Sequence, residues 1–420
     1  MKTKTYSLFG LAILLIVFAC REPYEVETLT FEDILVVEST ITNELKHQVV
    51  KLSRTFILEE SEPVTEENAT VWVEDSNNNI YSFSQNTEGQ YISNIPFQAI
   101  NNLEYSLYIS TQDGNEYKSK PSILTAESEI TNLYSELLTN DDGEEGIQIF
   151  LDSENQNSDT RYFRYEYEET YQIIAPNYVN EEAYIFNYSA VPFGGNTLVD
   201  FSFSFPNRTQ EERVCYGFNN STGILQASTN DLIFNTVSKL PVHFINKNNG
   251  VLRDRYSILV KQYSQSIEAY TFYKVVNELG NIGSVLSQNQ PGYVTGNIES
   301  TTNPNSKVIG YFSVESIATK RIYFSHNDFA ILRPDYLYKC EKIALDGSDN
   351  TLSDRTPNQR AEIYRLLTLN ADINFNYSIT YNLSSSELPN NINDYWILTN
   401  PECGDCTSVG SNIQPDFWED

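Results

Sequence analysis

The stretch RYFRYEYEETYQIIA, residues 161–175, alternates so regularly that its reading decides the fold class. Phe163, Tyr165, Tyr167 and Tyr171 share one face of an extended chain, and Arg164, Glu166 and Glu168 share the other. A period of two marks a β-strand with one buried face, because successive side chains of a strand point to opposite sides. The glutamates are either a solvated sheet face or a cation site, and an amphipathic strand accounts for them without a ligand. RYSILVKQYS, residues 255–264, repeats the pattern with Tyr256, Ile258 and Val260 on one side.

The same short period fills the first part of the chain. From Ile34, runs such as ILVVESTI, ATVWVED, NIYSFS and LEYSLYIST are separated by turn formers, DSNNN, TEG and QDGN. Asp113-Gly114 is a strong hairpin dipeptide. Seven such strands in about ninety residues, without helical periodicity, indicate an immunoglobulin-like β-sandwich. Trp72 lies opposite Val71 and Val73 and is expected to pack, against the next module, rather than to serve as a sugar platform. Pro121 and the polar TAESEITN mark a boundary. The expected fold is mainly β, with this sandwich at 31–125 and a larger β-rich α+β domain with one or two helices at 126–420.

One helix stands out in SQSIEAYTFYKVVNELGNIG. Ser264 and Ser266 are candidate N-caps, Glu268 suits the first turn, and Gly280 can close the end. Ile267, Tyr270, Phe272, Val275, Val276 and Leu279 form an apolar stripe expected to bury against a sheet. A second, weaker helix is expected from Thr356 to Leu367, with Pro357 in its first turn. TNDDGEEG (139–146) lacks the alternating oxygen ligands of a calcium loop and reads as an exposed turn.

The amino terminus carries a different signal. Lys2 and Lys4 precede an apolar run from Leu8 to Ala19, too short to cross a bilayer and organised like a secretory signal. The run ends Val17-Phe18-Ala19-Cys20, which resembles the lipobox of bacterial lipoproteins, with a bulky Phe18. The resemblance implies cleavage before Cys20 and acylation of its thiol and new amino group, leaving 1–19 as signal peptide and 20–30 as tether. Several acyl chains make a lasting anchor where a single one is marginal. Arg21, in place of an aspartate, and the acidic Glu22, Glu25 and Glu27 fit an outer-membrane destination, with either membrane face open.

Composition sets limits. Residues 1–19 contain two lysines and no acid, so the remaining 401 residues carry 25 − 57 = −32 charges. A surface this acidic repels phosphate backbones, which excludes nucleic acid as a partner class. Four further cysteines, Cys215, Cys340, Cys403 and Cys406, read as structural disulfides of an oxidising compartment, with three pairings open. The CxxC spacing of Cys403 and Cys406 also admits redox or metal chemistry. However, no helix is expected there, between Pro401 and the polar TSVGSNIQPD, and no further ligands stand at metal-finger spacing. No cofactor motif is present.

Together the lipobox, ILVVESTIT, YFRYEYEETYQI, RYSILVKQYSQSIEAYTFYKVV, QPGYVTGNIESTTNP, VIGYFSVESIATKRIYF and PECGDCTSVGSNIQPDFW resemble the outer-membrane lipoprotein family known as domain of unknown function 4249. The resemblance spans nearly the whole mature chain. It implies a place near TonB-dependent outer-membrane receptors, hence a partner of that kind and a role in capture or uptake. On the residues themselves, Gly296-Asn297 and Gly310 read as sites of close backbone approach. Phe417 and Trp418 read as docking the terminus on the second domain, with the cysteine pair pinning the loop before them.

Three functions are compared. The first is a binding or accessory lipoprotein working with a transporter. The second is an adhesive or structural surface protein. The third is a surface hydrolase, the least supported. No catalytic constellation is found: there is no Gly-x-Ser-x-Gly elbow, and His47, His243 and His326 read as incidental loop or edge residues.

Overall fold

The computed structural model describes residues 33–55, 64–155, 159–180, 184–193, 196–204, 206–280, 294, 296–304, 306–340, 342–346, 378–383 and 395–419. The expected signal peptide, Cys20, the whole of the expected tether and the expected helix at Thr356–Leu367 lie outside them.

The seven expected strands all form: β1 (Leu35–Thr42), β2 (Val49–Arg54), β3 (Thr70–Asp75), β4 (Ile80–Gln85), β5 (Tyr91–Ser93), β6 (Glu104–Ser110) and β7 (Glu116–Ser119), joined by a two-residue β8 (Ser122–Ile123). Leu35, Val37, Ile41, Val50, Leu107 and Ile109 point inward and are buried, as alternation requires.

Next come β9 (Ile130–Thr139), β10 (Glu145–Glu154), β11 (Tyr162–Ile174), a hairpin of β12 (Tyr184–Phe193) and β13 (Asn196–Ser204), then β14 (Val214–Asn220), β15 (Leu225–Ser228), β16 (Thr236–Asn246) and β17 (Arg255–Gln265). Helix α1 (Ile267–Gly280) follows, then β18 (Ile298–Ser300), β19 (Val308–Glu315) and β20 (Ile317–Ser325). Last are a small sheet of β21 (Lys342–Asp346), β22 (Ser378–Leu383) and β23 (Tyr395–Thr399), and the single turn α2 (Pro401–Gly404).

The fold is mainly β, but the expected boundary at 125/126 does not divide it. β18 pairs with β7, and β19 runs parallel to β1 from Leu35↔Val308 to Thr42↔Glu315. Residues 298–315 therefore complete the first module, a ten-stranded sheet with the path β18-β7-β6-β3-β4-β5-β2-β1-β19 and β8 on β6. A parallel partner more than 260 residues away leaves no local trace in the sequence.

The two ends of this path meet. The Asn297 side chain accepts from Phe312 N and donates to Phe312 O, both at 2.8 Å, in the way a neighbouring strand would. The backbones touch so closely that a Cβ on Gly296 would sit 1.5 Å from Gly310 O, and one on Gly310 2.2 Å from Val37 O. Gly310, at φ +153°, also needs glycine's freedom.

The second module is a sandwich of two sheets, β16-β10-β9 and β14-β11-β17-β20, with β15 beside β11. Ile147, Ile149 and Leu151 from one sheet pack against Phe163, Ile258 and Val260 from the other. One continuous chain links the modules, because β19 ends in the first and β20 begins in the second. Ser316 is the corner. Its O accepts from Ser264 N (2.9 Å), its N donates to Thr125 Oγ1 (2.9 Å) and its Oγ to Ala126 O (2.7 Å).

Helix α1 is capped by Ser266, whose Oγ accepts from Ala269 N at 3.1 Å. Ser264 is not a cap. It lies in β17, one residue before the strand's end, with its Oγ bonded to Ser128. The stripe also sits differently from expectation: Ile267 is exposed, its larger apolar residues are half-buried, and Ala269 is the fully buried contact. Position 267 opens the first turn and lines the cleft beside the helix.

Candidate functional site

The expected solvated face of β11 is covered near the start of the strand, at Arg164. Thr40 and Thr42 of β1 and Ser313 and Glu315 of β19 lie on the outer face of the first module, and α1 packs across them. Arg164 is buried among them, with Nη1 paired to Glu166 and Nη2 3.4 Å from Glu315 Oε2. Its guanidinium lies over the rings of Tyr263 (4.3 Å) and Tyr273 (4.9 Å). Tyr263 OH donates to Glu166 Oε2 at 3.0 Å, and Gln265 Nε2 to Glu315 Oε1 at 3.3 Å.

One cation thus serves two carboxylates, and depth separates them. Burial pushes the Glu315 carboxyl up by more than the Arg164 charge and its hydrogen bonds pull it down. Burial also raises Glu166, but Arg164 and the Tyr263 hydroxyl outweigh it and hold that carboxyl below its ordinary range. Burial opposes the Arg164 charge, yet Glu315 and its other neighbours raise the guanidinium further. Glu168, the other glutamate of this face, is half exposed and pairs with Lys261.

This cluster stands between two hollows flanking α1. On one side is a cleft of about 1040 Å³ with Gln265 and Glu315 in its lining and apolar walls from Ile123 and Leu124 opposite Ile267 and Val275. On the other is a cavity of about 580 Å³ lined by Thr40, Thr42, Arg164, Tyr263 and Tyr273. Phe272 and Tyr311, whose rings are 5.5 Å apart, border both. Volumes of roughly 300–1,000 Å³ with apolar walls and a few convergent polar groups are typical of small-molecule sites. The arrangement can bind and orient a ligand. Its central carboxylates are tied up in the ion cluster.

A second polar cluster lies inside the sandwich of the second module. Glu169 occupies an odd position of β11 and so points inward with the tyrosines. Its Oε1 accepts from Tyr256 OH at 2.6 Å and is hydrogen-bonded to His243 Nε2 at 3.1 Å. Burial raises this carboxyl, but the bonds from His243 and Tyr256 outweigh it and leave it below its ordinary value. His243 is therefore a partnered residue of β16, its ring 4.4 Å from Tyr167, rather than an incidental one. His47 Nδ1 lies 2.6 Å from Ser93 O, and His326 opens a short 3-10 turn. Among the described residues no group of three His, Cys, Asp or Glu is placed to hold a metal ion.

Trp72 packs on its own module, not the next one: it stacks on Tyr108 at 5.1 Å, with Lys118 over the same ring at 4.9 Å. Missed in the sequence were Glu169, Glu315 and Thr42. For Glu169 the signal was present, because it falls in phase with Phe163 and Tyr165.

The cysteines pair as Cys215–Cys406 and Cys340–Cys403, so the two halves of CxxC reach different strands of chain. A helical turn does begin there. Pro401 occupies the first turn, where its missing N–H costs nothing, Cys403 N donates to Asn400 O, and a 3-10 turn follows at Cys406–Ser408. The tail then pairs Ser411 with Tyr216 of β14. Trp418 is buried edge-on against Tyr216 (4.9 Å) and Tyr323 (6.3 Å), while Phe417 is 39 % exposed, with the Arg321 guanidinium 3.6 Å above its ring.

Among the described residues no helix is long and apolar enough to cross a membrane. No curated protein matches the chain. Among solved structures, a "Biofilm associated protein - BSP domain" is 10 % identical, with a TM-score of 0.14, covering 72 % of this chain. The chain in turn spans 62 % of that structure's length. The profile of the family described as domain of unknown function DUF4249 matches residues 21–321. The chain belongs to the DUF4249 family.

Proposed function

We propose that this protein is a lipoprotein held to the bacterial outer membrane through Cys20, that it binds a small ligand at the module junction, and that it works as an accessory to a TonB-dependent receptor. The observation carrying the binding reading is the cleft beside α1, whose apolar walls face each other over a polar lining. Function resides in sites rather than folds, and this cleft is larger than the cavity on the other side of α1. The lipobox-like ending at Cys20 carries the anchor. Family membership supplies the expected receptor neighbourhood.

An adhesive role has one observation of its own. Leu232, Ile233 and Phe234 are consecutive and 52, 91 and 68 % exposed, and such a run is unusual on a soluble surface.

The test is purification of the tagged, full-length chain from detergent-solubilised membranes. The proposal expects a β-barrel receptor in the eluate and its loss with Cys20→Ser, which also leaves the chain unanchored. A wild-type eluate without a receptor counts against the accessory role, and membrane partition of Cys20→Ser counts against the anchor.

A further inference from the structure

The smaller cavity beside α1 has an unusual balance of charge and hydrogen bonding. Five charged residues line it, Arg164, Lys46, Lys51, Glu38 and Glu166. Each already faces an opposite charge: Arg164 meets Glu166 and Glu315, Lys51 Nζ is 4.0 Å from Glu38, and Lys46 Nζ is 2.6 Å from Glu44. Four polar atoms of lining residues are not satisfied in this way: Ser39 Oγ and Tyr165 OH, in phase with the inward faces of β1 and β11, and Arg164 Nε and Thr42 Oγ1, on the faces that meet at the junction. Arg164 Nε and Thr42 Oγ1 are both buried and have no hydrogen-bond partner, although their residues are only 7 % and 2 % exposed. Buried donors of this kind are rare in folded proteins and call for an explanation.

Arg164 and Thr42 share one neighbour, Glu315. Thr42 stands opposite Glu315 in the β1–β19 register, and Glu315 is the carboxylate that holds Arg164. The required ligand atom accepts from a guanidinium N–H and exchanges a hydrogen bond with a hydroxyl. A charged ligand group would be desolvated without a free counter-charge. A neutral hydroxyl can accept from Arg164 Nε and donate onward, to Thr42 Oγ1 or to a Glu166 oxygen. Phe272 and Tyr311 offer apolar ring faces for the C–H surface of such a molecule.

We infer that the 580 Å³ cavity binds a neutral, polyhydroxylated ligand of the sugar class, with Arg164 Nε and Thr42 Oγ1 as its specific contacts. The inference rests on reading the junction as a ligand site. It needs neither the lipid anchor nor the receptor.

The test is calorimetric titration of the purified mature chain with D-glucose, D-galactose, D-mannose and disaccharides of each. D-glucuronate and D-glucosamine serve as charged counterparts. Neutral sugars are expected to bind, and the charged ones to bind more weakly. Thr42→Val keeps the side-chain shape and removes an unpaired hydroxyl, so it is expected to leave the unliganded melting temperature unchanged or higher. It should weaken sugar binding by about tenfold, the scale of one lost hydrogen bond. Failure of every neutral sugar to bind, preference for a charged analogue, or full affinity in Thr42→Val overturns the inference. Binding abolished by Val275→Glu, in the larger cleft, but untouched by Thr42→Val overturns it while leaving the junction as a ligand site. The receptor pull-down reports separately on the proposed function.

Discussion

The two modules treat polar side chains in opposite ways. The first surrounds an apolar core with buried polar side chains bonded mostly to backbone, as Gln48 is to Phe97 O and Asp75 to the N–H groups of Asn77 and Asn79. The second buries Glu169 against Tyr256 and, at the junction, Arg164 against Glu315. It also carries both disulfides. Alternation is enough to build the first kind of core. The second depends on specific partners, so it loses more when one is removed.

The sharpest way to break that contrast is Arg164→Met. It leaves the buried Glu315 and the half-exposed Glu166 without their cation, and one-sided loss of a buried pair costs about 3–5 kcal/mol. Chemical denaturation should show that loss, whereas a charge deletion on the first module, Lys51→Met, should change stability by under about 1 kcal/mol. Equal effects would mean that the junction is more hydrated than its geometry implies.

Next in size is the covalent difference. Cys215 and Cys406 are 191 residues apart, and Cys340 and Cys403 are 63 apart. The double change Cys215→Ser, Cys406→Ser should cost about 2–5 kcal/mol, read as a fall in melting temperature that reducing agent produces in the wild type. The first module contains no cysteine, and its hydrogen-exchange protection should change little.

A smaller effect separates the modules by pH. Glu169 is held below its ordinary value of 4.5, so the folded state favours its ionised form. Its contribution to stability is present above that value and lost as pH falls through the lower folded value. Tyr256→Phe removes one donor and should cost about 1.5–3 kcal/mol at pH 7, shrinking towards zero in acid. Glu315 works the other way. Its raised carboxyl favours the protonated form, so its contribution is complete below 4.5 and lost as pH rises through the folded value. A pH-independent cost of Tyr256→Phe would remove Glu169 from the account.

How much of this could be read from sequence follows the same division. All seven opening strands were legible, because period-two runs and turn formers are local signals. The return of β18 and β19 was not, since pairing Leu35 with Val308 is a long-range event. In RYFRYEYEETYQIIA the two faces were assigned correctly, but alternation cannot say what covers a face, so Arg164 read as solvated. Glu169 was visible as an acid in the inward phase, yet only Tyr256 and His243 explain it. Ser266 was readable as a cap. The exposure of Ile267 was not, because it depends on the cleft that opens beside α1 once the modules are assembled.

The most direct measurement places a photoreactive phenylalanine derivative at position 267, on the cleft wall, in cells making the full chain. Position 80, at the exposed Ile80 of β4, serves as the control. If the junction is where this protein meets its ligand or receptor, light should yield a discrete adduct from position 267 and none from position 80. Matching adduct patterns from the two positions, or no adduct from 267, would contradict the account.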